Sequence, residues 1–176
     1  MSASPETTTL PSVLGETYLE HHDRLYRAAY RVVGNATDAE DVVQTVFLRL
    51  AQREPLGWGA ENLAGYLYRA AINTALDLLR ARRERPIASM EQLEQHQPSD
   101  AMDSEQDHAL RSRLREALSR LSPRWAEMFV LKHIEGCENT EIARLCGTSQ
   151  AVVAVTLFRA RARLKRELTL PIGGAP

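Results

Sequence analysis

NTEIARLCGTSQAVVAVTLFRARARL, running from Asn139 to Leu164, is the stretch whose reading decides the fold. A short helical run to Leu145 meets Cys146-Gly147-Thr148, a turn with glycine at the position that ends a helix, and Ser149 is placed to cap the helix that follows. That is helix-turn-helix spacing. In the second of the two helices Val153, Leu157, Ala160 and Leu164 step by four, three and four, which fixes one face inward. Gln150, Ala151, Ala154, Phe158, Arg159 and Arg161 are thereby turned outward, and this face is the DNA candidate.

Working outward, the helix before this motif carries Leu110, Leu114, Leu118 and Leu121 and stops at Ser122-Pro123, because proline begins a new helix more readily than it continues an old one. Trp125, Met128, Phe129 and Leu131 continue the core. Together they make a helical module over 108–168. A second module, 15–85, lies upstream. In it Thr37-Asp38-Ala39-Glu40 reads as a capping box, with the Thr37 hydroxyl accepting from the Glu40 amide. The helix it opens puts Val43, Val46, Phe47 and Leu50 on one side, leaving Asp41, Gln44, Thr45 and Leu48 largely on another. A further helix, from about Glu61 to Arg85, has Leu63, Leu67, Ala71, Thr74 and Leu78 as one stripe and Arg69, Asn73, Asp77 and Arg80 as a second. The expected fold class is therefore all-α, two small helical domains joined by a flexible acidic linker over 86–107, with tails at 1–14 and 169–176.

Charge sharpens that division. The net charge of −1 is unremarkable, but its distribution is uneven. Between Pro86 and His108 every ionisable side chain other than His96 is acidic: Glu91, Glu94, Asp100, Asp103, Glu105 and Asp107. The segment after it is rich in arginine, as phosphate binding needs. Hydrophobic residues make up 44% of the chain and charged residues 26%, the composition of a globular protein. No stretch approaches the roughly 18 to 20 apolar residues of a membrane span, and MSASPETTTLPS has no basic start followed by an apolar run. No membrane insertion and a cytoplasmic location are expected.

Sites with chemistry of their own are not expected. His133 and Cys137 stand four apart on what reads as one helix, with Cys146 nearby, yet a structural zinc wants four ligands and none completes the set. The two cysteines read as small core residues, and they are too few for a disulfide framework. His21-His22-Asp23 lacks a nucleophile to serve, and no phosphate loop occurs. Neither an enzyme, nor a metal, nor a cofactor is implied.

Three motifs together resemble the extracytoplasmic-function sigma factors of bacterial RNA polymerase, of the sigma-70 family. DAEDVVQTVFLRL (Asp38 to Leu50) is similar to the family's clamp-binding helix in region two, and YLYRAAINTALDLLRARRER (Tyr66 to Arg85) to its minus-ten recognition helix. The stretch from Leu121 to Leu168 resembles region four, which reads the minus-thirty-five element. The resemblance implies a protein whose partners are core RNA polymerase, through its beta-prime clamp and beta subunit, promoter DNA, and an anti-sigma factor. It assigns Asp41, Gln44, Thr45 and Leu48 to the polymerase, and Arg69, Asn73, Arg80, Arg82 and Arg83 to minus-ten DNA, with Trp58 stacking in the preceding loop. Gln150, Ala151, Ala154, Val155, Phe158, Arg159 and Arg161 fall to minus-thirty-five DNA.

The chain departs from the family at Ala151-Val152-Val153-Ala154-Val155-Thr156, where most relatives carry a glycine-threonine-valine-lysine-serine-arginine run. Ala154 and Val155 offer no hydrogen bond, though short apolar side chains still meet thymine methyl groups. Two other readings stay open: a sigma-like decoy that holds polymerase or an anti-sigma protein without productive promoter recognition, and a stand-alone helix-turn-helix repressor. The arginines of RARRER and RARARLKR also fit solvated helix ends favoured by the macrodipole.

Overall fold

The computed structural model describes residues 10–52, 60–84 and 105–169, and all regular structure among them is α-helical. The helices are α1 (Leu10–Val33), α2 (Ala36–Ala51), α3 (Ala60–Glu84), α4 (Glu105–Ser119), α5 (Pro123–His133), α6 (Asn139–Leu145) and α7 (Gln150–Thr169). Two begin earlier than the sequence reading put them. α1 starts at Leu10, not near Gly15, because Leu14 and Tyr18 already pack against the core and Pro11 costs nothing in a first turn. α4 starts at Glu105, within the acidic stretch read as linker.

The α1–α2 corner corrects the expected capping box. Gly34 turns the chain with φ +84°, a left-handed conformation that glycine adopts without steric cost. Asn35 follows in extended geometry and is the true N-cap, its Oδ1 accepting from the Asp38 amide at 2.8 Å. Thr37 lies inside the first turn, exposed, and the Glu40 carboxylate accepts from His22 Nε2 at 3.3 Å instead of reaching back. An asparagine directly before the helix competes better for the cap than a threonine two residues in.

The helix-turn-helix forms as its spacing requires. Gly147 has φ +59°, its amide donates to the Arg144 carbonyl at 3.3 Å, and the Thr148 amide donates to the Ala143 carbonyl at 2.9 Å. This is the paired bonding of a Schellman ending, which satisfies the last carbonyls of α6. Ser149 Oγ then accepts from the Val152 amide at 3.3 Å and caps α7. Val153, Leu157, Ala160 and Leu164 are all buried. Leu110, by contrast, is 57% exposed, so the apolar stripe of α4 begins at Leu114 rather than a turn earlier.

The two helical domains expected from the sequence are present, and they also pack on each other. α3 contacts α1 and α2 on one side and α4, α5 and α6 on the other, and the buried residues form one continuous cluster. The stripe read for α3 therefore accounts for only part of its buried surface: Tyr68, Ile72, Ala75, Leu76 and Leu79 are buried as well. At about 1.5–3 kcal/mol per buried large aliphatic side chain, this shared wall is a large fraction of a small protein's stabilisation.

Candidate functional site

Helix α7 presents the surface that the sequence assigned to it. Gln150, Ala151, Ala154, Arg159 and Arg161 are exposed, and Val155 and Phe158 are 50% and 69% exposed. Val152 joins them, making an apolar line at three-residue steps that Arg159 and Arg161 flank. Thr156 is buried, so it supports the helix from within and is not a surface group. At the entrance to the motif, Arg124 donates to Thr148 Oγ1 at 3.1 Å. Arg161 and Lys132 also bear on His133, whose pKa is lowered first by burial and then by these neighbouring cations. The local potential is positive, which favours a polyanion.

On α2, Asp41, Gln44 and Leu48 are exposed and Thr45 is half-buried, while Val42, Val43, Val46, Phe47 and Leu50 fill the core behind them. A 64% exposed leucine beside an amide and a carboxylate is a surface suited to another protein.

The residues that the resemblance assigned to minus-ten DNA are distributed differently. Trp58 lies outside the described residues. Arg69 donates through Nε and Nη2 to Glu127 at 2.7 and 3.3 Å and through Nη1 to the Leu145 carbonyl at 2.9 Å. Asn73 Nδ2 donates to the same Glu127 at 2.9 Å. Arg83 Nη1 donates to the Ser119 carbonyl at the end of α4 at 2.8 Å. Arg82 pairs with Asp38 within the first module, and Arg80 with Asp77 at 2.8 Å, its Nε and Nη2 having no partner among the described residues. Three of the five described side chains are thus held by the second module.

The sequence reading missed the acceptors. Glu127 sits in WAEMFVL with its side chain 7% exposed, and Glu135 is 4% exposed, accepting at Oε2 from Tyr68 Oη at 2.7 Å and Arg31 Nη1 at 2.9 Å. Burial, with the hydrogen bond to Glu135, raises the Tyr68 pKa and keeps the phenol a donor. A carboxylate inside an apolar run was the available signal, since a buried charge demands a partner.

His133 and Cys137 do not share a helix. α5 ends at His133, Gly136 turns with φ +75°, and the Cys137 amide closes back on the Leu131 carbonyl at 2.8 Å. Burial, then Glu141, pushes the Cys137 thiol up to about 11, which makes it a poor metal ligand or nucleophile. Among the described residues no group of three or more His, Cys, Asp or Glu is placed to hold a metal, and no helix is long and apolar enough to cross a membrane.

Comparison with known proteins agrees with this geometry. The family description Sigma-70 region 2 matches residues 17–85, and Sigma-70, region 4 matches residues 111–164. The RNA polymerase sigma-E factor of Streptomyces avermitilis is 38% identical over 147 residues, covering 83% of this chain and 79% of that protein. The ECF RNA polymerase sigma factor SigE of Mycolicibacterium smegmatis is 31% identical over 166 residues, covering 93% of this chain and 64% of that one. Among solved structures, CnrH in complex with the cytosolic domain of CnrY matches with TM-score 0.51 and 25% identity over 92% of this chain and 90% of that one. The sigma factor RpoE in complex with the anti-sigma factor NepR from Bartonella quintana shares the fold, with TM-score 0.52 and 20% identity over 90% of this chain and 98% of that one. With both sigma regions matched in order and relatives of this identity, the chain belongs to the extracytoplasmic-function sigma factors of RNA polymerase.

Proposed function

We propose that this chain binds core RNA polymerase and directs it to promoters in response to a cellular signal, acting in the cytoplasm with no chemistry of its own. The observation that carries the reading is one chain presenting both a capped, outward-facing recognition helix and a polar α2 surface with a bare leucine at its centre. In this reading Asp41, Gln44, Thr45 and Leu48 dock on the beta-prime clamp. Gln150, Ala151, Ala154, Val155, Phe158, Arg159 and Arg161 meet the minus-thirty-five major groove. Val155 and Phe158 contact thymine methyls, and Arg159 pairs with guanine or a phosphate.

Minus-ten recognition falls to the α3 set, with Asn73 at a base edge, Arg69, Arg80, Arg82 and Arg83 at phosphates, and Trp58 stacking on an extruded base. The acidic stretch over 86–107 lies along the polymerase channel, and the modules it joins are those at 15–85 and 108–168. An anti-sigma factor is a fitting partner, since the similarly folded sigma factor RpoE is seen bound to one.

The test is run-off transcription with purified core polymerase and a genomic promoter pool. Promoter-dependent transcripts are the expected result. Polymerase binding with no transcripts would instead favour the decoy, a reading to which the absence of polar side chains at Ala154 and Val155 lends specific support.

A further inference from the structure

At 3.6 residues per turn, Ala151, Ala154, Val155 and Phe158 fall within an arc of about 100° on α7, away from the buried row of Val153, Leu157, Ala160 and Leu164. Gln150 and Arg161 border that arc on one edge, Val152 and Arg159 on the other, and all of these residues are exposed. No side chain within the arc can form a hydrogen bond. From Ala151 to Phe158 the strip runs about 10 Å along the axis, the length of about three base-pair steps.

What such a strip can face decides what it selects. A G·C pair turns hydrogen-bonding groups into the major groove, guanine N7 and O6 and the cytosine amine, and covering them with valine and phenylalanine would remove their water and return no partner. An A·T pair adds the thymine C5 methyl, which gains from leaving water. Gln150, at the end of the helix where base edges are reached, can accept and donate at adenine N6 and N7. The rim is cationic: Arg159 and Arg161 on α7, exposed Arg144 on α6, and Arg124, donating to Thr148 Oγ1 at 3.1 Å. That charge suits the phosphates on either side of a groove better than it suits an apolar protein partner.

We propose that α7 selects a thymine-rich minus-thirty-five element, burying thymine methyl groups against Ala151, Ala154, Val155 and Phe158 over about three consecutive base pairs, with Arg124 and Arg161 on the flanking phosphates. This rests on the functional reading above and adds the base composition of the element. Preference comes from apolar contact together with exclusion of G·C pairs, while the phosphate contacts supply affinity that is blind to sequence.

Deoxyuridine pairs with adenine as thymidine does but lacks the methyl group, so it removes the proposed contact at unchanged pairing. Holoenzyme assembled from the full-length chain and core polymerase is used to select from a duplex pool randomised over one helical turn, about ten base pairs, with core polymerase alone as background. The selected duplexes should share a run of A·T pairs. Replacing the thymines of that run with deoxyuridine should weaken binding by about fourfold per methyl removed. In the double variant Val155→Ala with Phe158→Ala, whose altered side chains lie outside the core, that penalty should shrink to about twofold or less, because changes that share a contact are not additive.

A G·C-rich selected element, or deoxyuridine duplexes bound as tightly as their thymine counterparts, would overturn the inference and leave the sigma function standing. An equal deoxyuridine penalty in the parent and the double variant would overturn it too, by placing the methyl groups against other residues. Holoenzyme that selects no duplex beyond those taken by core polymerase alone would count against the functional reading itself, and the inference would go with it.

Discussion

The guanidinium of Arg115 lies across Gly34, so closely that a Cβ at position 34 would come within 2.0 Å of Nη2. Burial lowers the Arg115 pKa, with Arg111 adding to the effect. An α4 side chain thus seals the corner between α1 and α2. Gly34→Ala should destabilise the fold by about 1–2 kcal/mol from the left-handed backbone alone, with a further loss from displacing Arg115. In an Arg115→Ala background only the backbone part should remain. Equal costs in both backgrounds, measured by urea unfolding, would show that the two residues do not interact.

Replacing Arg159 with alanine should weaken binding to a minus-thirty-five duplex by about ten- to a hundredfold, the range of one good side-chain contact to a base. Polymerase binding should not change, because Arg159 is exposed and the core beneath it is untouched. Loss of both would mean that α7 had unfolded.

Asp41→Ala with Gln44→Ala, or Leu48→Ala alone, should reduce affinity for core polymerase by about tenfold, the scale of a well-buried interface residue. These side chains are exposed in the free chain, so thermal stability should stay within about 0.5 kcal/mol of the parent. Unaltered polymerase affinity would remove α2 from the interface.

His22 stands between Asp23 Oδ1 at 3.2 Å and Glu40 at 3.3 Å. Burial lowers its pKa, but hydrogen bonds and charge from Asp23 and Glu40 outweigh this and leave it raised. The folded chain therefore holds this proton more tightly than the unfolded one. Its contribution is complete below about pH 6.5 and is lost as pH rises through the higher folded value. Stability measured from pH 6 to 8 should fall in the parent by up to about 1 kcal/mol relative to His22→Gln. Parallel pH profiles would rule the contact out as a source of stability.

The local parts of this structure were legible because they are governed by neighbours in sequence. Gly147 and Ser149 announce the turn and cap of the recognition helix, and the steps from Val153 to Leu164 set its inward face, without reference to anything distant. The cap of α2 was misread, since Thr37-Asp38-Ala39-Glu40 satisfies the box pattern while the helix in fact begins two residues earlier, at Ala36, with Asn35 as its cap. What periodicity could not convey was the second buried side of α3. Arg69 and Asn73 look like solvent-facing residues until Glu127, more than fifty positions later, is seen to meet them. Long-range pairing of polar groups leaves little trace in a local pattern, whereas an isolated acid among tryptophan, methionine and phenylalanine does leave one.

Gly65 has a consequence for how this protein can be handled. A methyl group there would meet Leu145 Cδ2 at 3.3 Å, so the Leu145 side chain of α6 packs directly on the bare backbone of α3. A piece of the chain ending at residue 84 would bare that seam and the rest of the wall α3 shares with its second set of helices, and would be prone to self-association. The two sigma regions, separable on paper, should melt together in the free protein as one cooperative unit.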